Sequence, residues 1–296
     1  MRSLCLPCFA KVNLRLHIVG RRPDGYHELR TIFQTISLHD ELELELRRAP
    51  GIQLECDDPS LPTGRENLVY RALHLLRREL AVKTGVYARL RKRIPVGRGL
   101  GGGSSNAAVA LIGLLRLLRR RPPVPRLLAW AARLGADVPF FLLGGTALGI
   151  GRGEQVFPLP DMPRRTLVVV SPSGLSVNTR EAYGWLAPRL TKRPADPTVF
   201  TFCALCWKRW SGGLANDFEP VVFRRHPRLR VLRRALLRRG AAEAALAGSG
   251  SAVFGVFPNP AQARRAALLF PDDRVFVVQT IARETYRRAL GLHELL

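Results

Sequence analysis

Lysine is nearly missing from this chain. Five of its 47 basic residues are lysines (Lys11, Lys83, Lys92, Lys192 and Lys208), and the others are arginines. Acidic residues are also scarce, 23 in all, which leaves a net charge of +24. Such a charge invites a nucleic-acid reading. The arginines, however, are scattered along the whole chain, and they accompany abundant Ala, Leu and Pro. That pattern reads as a coding bias rather than a dedicated binding face, so no specific nucleic-acid partner is expected, only non-specific binding at low salt. Long apolar runs are absent. None approaches the roughly 20 residues needed to span a bilayer, so no membrane association is expected. Residues 1–9 are too short for a signal or transit peptide ahead of the first motif, and a cytoplasmic enzyme is the expectation. Cysteines number five, with Cys5/Cys8 and Cys203/Cys206 at CxxC spacing. A structural zinc site needs four converging ligands, and these pairs lie far apart in the chain. Reduced thiols in a cytosol are the simpler account.

What is present suits a globular protein. With 296 residues and 47% hydrophobic content, one large or two medium domains are expected. A Pro-rich shift near 157–165 marks a boundary, giving units 1–157 and 158–296. Residues 10–18 alternate: Ala10, Val12, Leu14, Leu16 and Ile18 share one face, and Lys11, Asn13, Arg15 and His17 the other. The pattern predicts a half-buried strand with Lys11 and Asn13 as neighbours. Further strands are predicted at 29–37, 41–46, 86–94 and 144–150. Helices are predicted from Asn67 to about 80, at 107–118 and at 126–134. The second unit mixes strands at 166–170, 243–247, 252–257 and 274–281 with helices at 179–186, 227–239 and 260–270. This is an α+β chain.

The most informative stretch is Pro95-Val96-Gly97-Arg98-Gly99-Leu100-Gly101-Gly102-Gly103-Ser104-Ser105, which runs straight into an apolar helix. Glycines leave the main chain bare and allow positive φ. Successive N–H groups can then curl around an anion while the following helix points its positive end at the same place. The stretch is a phosphate cradle by construction. It lacks the Lys of a Walker loop, and no acidic residue follows about 20 positions later to hold a ribose. Ser104 and Ser105 sit at the junction, where a hydroxyl can reach phosphate or Mg²⁺, or cap the helix. Asp137 follows a helix-closing Gly135 and precedes Val138-Pro139-Phe140-Phe141, so it reads as a general base or as a helix cap. Lys11 is its candidate partner, a compact ammonium retained in an arginine-rich chain.

Several separated motifs resemble the GHMP kinases. They are Ala10-Lys11-Val12-Asn13-Leu14, Gly20-Arg21-Arg22-Pro23-Asp24-Gly25-Tyr26-His27-Glu28-Leu29, the glycine run, Gly135-Ala136-Asp137-Val138-Pro139, Asn216-Asp217-Phe218-Glu219-Pro220 and Gly248-Ser249-Gly250-Ser251. Together they resemble the branch whose substrate is a cytidine diphosphate-linked methylerythritol. The resemblance implies a GHMP kinase fold: an N-terminal unit like ribosomal protein S5 domain 2 and a C-terminal ferredoxin-like α/β unit. It implies ATP and Mg²⁺ at the glycine run, with residues 95–105 binding the nucleotide. It implies Lys11 and Asp137 as the catalytic pair. It also implies Asn13, Tyr26, His27, Thr179 and Tyr183 as substrate-binding residues, with Tyr26 and Tyr183 stacking on the base and His27 bonding its edge. The implied partner is that small molecule, the enzyme being a monomer or homodimer. Three features depart from the pattern. Arg98 stands where the family usually has a small residue, Ala247 stands where it often has serine, and 188–212 matches nothing in it. The rival readings are a homoserine or mevalonate kinase, whose substrates carry no base to stack, and a basic RNA-binding protein.

Overall fold

Two strands of unusual length build the first sheet. β1 spans Ser3–Arg21 and β2 spans His27–Arg47, paired antiparallel throughout. The structure, a computed structural model, describes residues 3–186, 202 and 213–294. The stretch 188–212 apart from Phe202, and with it the Cys203/Cys206 pair, lies outside the described residues. The sequence pattern predicts separate strands at 29–37 and 41–46, yet the backbone runs through both. The reason is a register shift: Phe9 pairs with His39, but Ala10 pairs with Ile36. Such an irregularity resets which side chains face the core without ending the strand. Cys5 and Cys8 sit three positions apart on β1, Cys5 exposed and Cys8 buried, so strand alternation turns their thiols to opposite faces. They do not converge on one ion.

β3 (Ile52–Cys56) and β4 (Gly85–Arg91) extend this sheet on one side, in the order β3-β4-β2-β1. β5 (Thr146–Gly151) pairs with another part of β2, and β6 (Gln155–Pro158) pairs with β5. Against the sheet pack α1 (Leu68–Glu79), α2 (Gly102–Leu117) and α3 (Val124–Leu134). Asn67 caps α1, its side-chain oxygen accepting from the Val69 N–H at 2.9 Å. α2 is the central helix, with twelve of its sixteen residues buried. It begins at Gly102, earlier than its apolar pattern at 107 suggests, because glycines of the run form its first turn. A short α4 (Phe140–Leu143) follows α3.

The second sheet is antiparallel, in the order β11-β7-β10-β9: Arg274–Gln279, Thr166–Ser171, Val253–Phe257 and Glu243–Leu246. With α5 (Thr179–Leu186), α6 (Glu219–Arg225), α7 (Pro227–Arg238) and α8 (Pro260–Ala267), it gives a ferredoxin-like α/β layer. A shared core joins the two sheets: Ala10, Val12 and Ile36 from the first meet Leu167, Val169 and Phe254 from the second. Two further devices bind them. β8 (Ala215–Asn216) leaves the second layer to pair parallel with β1. α9 (Arg283–Leu290) returns to the first layer, where Tyr286 is buried and donates from its hydroxyl to the Phe141 carbonyl at 2.5 Å.

One carboxylate fastens the start of the glycine run. Asp40, fully buried in β2, accepts from the Arg93 and Ile94 N–H groups at 2.7 and 2.8 Å and from the Asn106 amide at 2.9 Å, and it pairs with the Lys92 ammonium. Removing a buried ion's partner typically costs about 3–5 kcal/mol. Asp40→Ala should therefore lower unfolding stability by that order in denaturant titration; a loss under about 1 kcal/mol would remove Asp40 from this role.

Candidate active site

A cavity of about 780 Å³ opens where the two layers meet. The run 95–104 forms one wall, with Gly97, Gly99 and Gly101 at φ of +68°, +77° and +73°. Two of these glycines are required by close approach as well as by φ. A Cβ on Gly99 would lie 1.9 Å from the Ala247 carbonyl oxygen, and one on Gly101 would lie 2.8 Å from the Phe141 ring. The run is tied to β1 by the Lys11 N–H donating to the Leu100 carbonyl at 2.9 Å. It ends in the N-terminus of α2, whose unpaired N–H groups and dipole favour an anion. Ser104 lines the cavity; Ser105 does not, being fully buried behind it with its hydroxyl unpartnered.

Facing this wall, Lys11 and Asp137 meet, with Lys11 Nζ 3.3 Å from Asp137 Oδ2. The ammonium is nearly buried, 4% exposed, whereas the carboxylate keeps 31% of its surface. The helix-cap reading of Asp137 is overturned: the cap position of α4 is Pro139, with no side-chain cap bond. Lys11 is held by its strand neighbour, donating to Asn13 Oδ1 at 2.7 Å. Asn13 donates in turn to Thr31 Oγ1, and Thr31 to the Arg15 carbonyl, each at 2.7 Å. Asn13 thus orients the lysine while itself lining the cavity, with a second amide N–H beyond the one given to Thr31. The Phe33 ring lies 5.5 Å from the ammonium and closes the apolar side.

The second glycine segment, 248–251, covers Lys11 from the other layer. A Cβ on Gly248 would lie 3.1 Å from the Gly99 carbonyl oxygen and 3.4 Å from Lys11 Nζ. Asn216 fixes this segment by donating to the carbonyls of Leu246 and Gly248 at 2.8 and 2.7 Å. The neighbouring Asp217 accepts from the Ile18 N–H of β1 at 2.7 Å, and Glu219 accepts from the Leu246 N–H at 2.9 Å. The Asn-Asp-Phe-Glu motif is therefore the bracket that holds the second segment against the first sheet.

At the far end, Tyr26, His27, Thr179 and Tyr183 all line the cavity. Tyr26 is exposed, with the Arg152 guanidinium 4.8 Å above its ring. His27 stacks on Tyr183 at 4.8 Å and 19°, so the imidazole covers one face of that ring; Phe218 meets Tyr183 edge-on at 4.9 Å. The His27 Nε2 is buried and unpartnered, and burial followed by the charge of Arg21 holds its pKa below the usual histidine value. Burial, with the charge of Asp137 second, raises the Tyr183 hydroxyl well above the usual phenol range. Thr179 and Ser249 share a hydrogen bond of 2.9 Å. Sequence reasoning missed Arg152, Thr31 and Lys92. Thr31 was legible in principle, since it stands among apolar residues of β2; Arg152 was hidden among 42 arginines.

Comparison with known proteins fits this geometry. Residues 67–145 match the GHMP kinases N terminal domain, and 201–268 match the GHMP kinases C terminal domain. A 4-diphosphocytidyl-2-C-methyl-D-erythritol kinase from Solibacter usitatus (strain Ellin6076) is 45% identical over 99% of this chain and 94% of that protein. The chain belongs to the 4-diphosphocytidyl-2-C-methyl-D-erythritol kinases, a branch of the GHMP kinases. A crystal structure of a 4-(cytidine 5'-diphospho)-2C-methyl-D-erythritol kinase superposes with a TM-score of 0.78 at 40% identity, covering 94% of this chain and 99% of that one. A homoserine kinase from Cytophaga hutchinsonii shares the fold alone, with a TM-score of 0.69 at 19% identity over 97% of this chain and 96% of that one. The glycine run of this chain meets the second layer at the Gly99–Ala247 contact. Gly99→Ala combines positive φ with a backbone clash. It should cut phosphoryl transfer at least tenfold in a steady-state assay; normal turnover would show that the contact does not govern the site.

Proposed function

We infer that this chain transfers the γ-phosphoryl group of ATP to the C2 hydroxyl of 4-diphosphocytidyl-2-C-methyl-D-erythritol, in the non-mevalonate route to isoprenoid precursors. The carrying observation is the Lys11–Asp137 pair set across one cavity from the glycine run, with aromatic residues at the far end. The proposed units 1–157 and 158–296 share this site. Phosphoryl transfer needs positioning, charge neutralisation and a group that takes the hydroxyl proton. Residues 95–104 cradle the phosphates through backbone N–H groups and the end of α2. Asp137 accepts the proton of the C2 hydroxyl as its oxygen bonds to the γ-phosphorus and ADP departs. Lys11 offsets the negative charge that develops on that oxygen.

The metal's donor set is sparse. Among the described residues no three His, Cys, Asp or Glu side chains cluster. That suits Mg²⁺, which keeps waters and binds largely through nucleotide phosphates. Ser104 would offer it a hydroxyl, and it would supply charge neutralisation between the phosphates. Ser105, sealed behind the loop, is a packing residue.

At the other end the cytosine stacks on the exposed face of Tyr26, a contact of about 1–3 kcal/mol. His27 Nε2 accepts from the base's exocyclic amine, relieving a buried polar atom that has no protein partner. Arg152, beside Tyr26, faces the diphosphate, and Thr179 and Tyr183 complete the wall. An aromatic end of this kind has no use in a homoserine or mevalonate kinase.

A positioned base contributes about 10²–10⁴-fold. Asp137→Asn should lose that much kcat with nucleotide affinity nearly unchanged; near-normal turnover would remove Asp137 from the chemistry. His27 supplies a second check. Its lowered pKa keeps the ring neutral at neutral pH, and acid below about pH 6.5 adds the proton that blocks acceptance. The KM for the cytidyl substrate should be flat from pH 8 down to that point and rise below it, while the KM for ATP does not follow. A rise beginning above pH 7 would contradict the assignment.

A further inference from the structure

Arg98 is the one charged residue inside the glycine run 95–105. It is flanked by Gly97 and Gly99, both at positive φ, and its carbonyl accepts from the Ala252 N–H at 3.1 Å, so its backbone is fixed from both layers. Arg98 is among the residues that line the cavity. Among the described residues, the one hydrogen bond of its guanidinium is from Nη1 to Ser251 Oγ at 2.8 Å. Ser251 is fully buried, and its hydroxyl proton is committed to the Leu175 carbonyl at 2.7 Å, so it can only accept from the arginine. A guanidinium carries five N–H donors. One of them anchors it, and no carboxylate among the described residues pairs with the charge.

Several arginines here do have such a partner: Arg22 has Glu28, Arg89 has Glu55, Arg133 has Glu79 and Arg228 has Asp273. Arg98 instead sits partly desolvated, with Arg274 as the charge that acts on it, and both effects disfavour its charged form. A partly buried cation with a fixed anchor and no counter-ion, at the mouth of a phosphate cradle, has the chemistry of an anion ligand.

We propose that Arg98 is a nucleotide-binding residue that contacts the β- or γ-phosphate of the bound nucleoside triphosphate, with Ser251 of the second layer as its positioning residue. The proposal rests on the phosphate-cradle reading of residues 95–104. It gives this chain a charge within the glycine run, and it makes that charge depend on contact between the layers. When the layers are apposed, Ser251 aims the guanidinium at the phosphates; when they part, the aim is lost.

Calorimetric titration of the full chain with Mg²⁺-ATP, Mg²⁺-ADP and AMP tests this directly. Arg98→Met, which keeps the aliphatic bulk, should weaken ATP about tenfold, as expected for one charge-assisted hydrogen bond. AMP should change less than twofold, and Arg98→Lys should recover part of the ATP affinity. Ser251→Ala should weaken ATP by a smaller factor and have little further effect in the Arg98→Met background. Equal loss for ATP and AMP would mean that Arg98 only props the loop, and unchanged ATP binding would mean that it faces solvent; either overturns the proposal. Wild-type protein that fails to bind ATP overturns the cradle reading itself. Wild type that binds ATP normally alongside an unaffected Arg98→Met overturns only the role of Arg98. Matching thermal unfolding of the variants and wild type separates these results from misfolding.

Discussion

A nearly buried ammonium must be held by specific partners, and the rest of the site is arranged around that requirement at Lys11. The charge cannot be stranded in an apolar wall without a large cost. β1 supplies Asn13 two residues on, Asp137 supplies the counter-charge, and Phe33 closes the remaining side. Each partner comes from a different element, so the lysine is correctly placed only when β1, β2 and the turn after α3 are assembled. Gly101 allows the nucleotide loop to lie directly on the lysine's aliphatic stem, and Gly248 brings the second layer to its head. The charge that serves phosphoryl transfer is also the point where the two layers are registered.

Much of this was legible in the sequence because the signals were local. Alternation at 10–18 placed Lys11 and Asn13 side by side, the glycine run announced bare backbone before a helix, and Asn67 announced a cap. The long-range features were not legible. β2 reads as two strands because the pairing shift opposite Phe9 and Ala10 breaks its period, which also hides Asp40 as an apparent loop residue. Its four hydrogen-bonding partners come from residues 92–106, and no local pattern links them to position 40. The alternation that put Asn13 beside Lys11 could not say that its side-chain oxygen accepts from the ammonium. Likewise, Tyr26 and His27 follow one short turn and both line the cavity, but the stacking of His27 on Tyr183 depends on α5 of the second layer.

The arginine excess takes on a more limited meaning in the folded chain. Many arginines pair with the few carboxylates on the surface, as at Glu41, Glu55 and Glu79, and such exposed pairs contribute little stability. A field of this sign still favours the approach of anionic substrates. Among the arginines that line the cavity are Arg152, beside Tyr26, and Arg98, which has no carboxylate partner among the described residues.

The most direct test of the whole account is a crystal structure of the chain with a non-hydrolysable ATP analogue and the cytidyl substrate bound together. The account predicts the terminal phosphorus about 3–3.5 Å from the C2 oxygen. It also predicts an Asp137 carboxylate oxygen within hydrogen-bonding distance of that hydroxyl and Lys11 beside it. A terminal phosphate on the far side of the cavity from Asp137, with the C2 hydroxyl facing solvent, would contradict it.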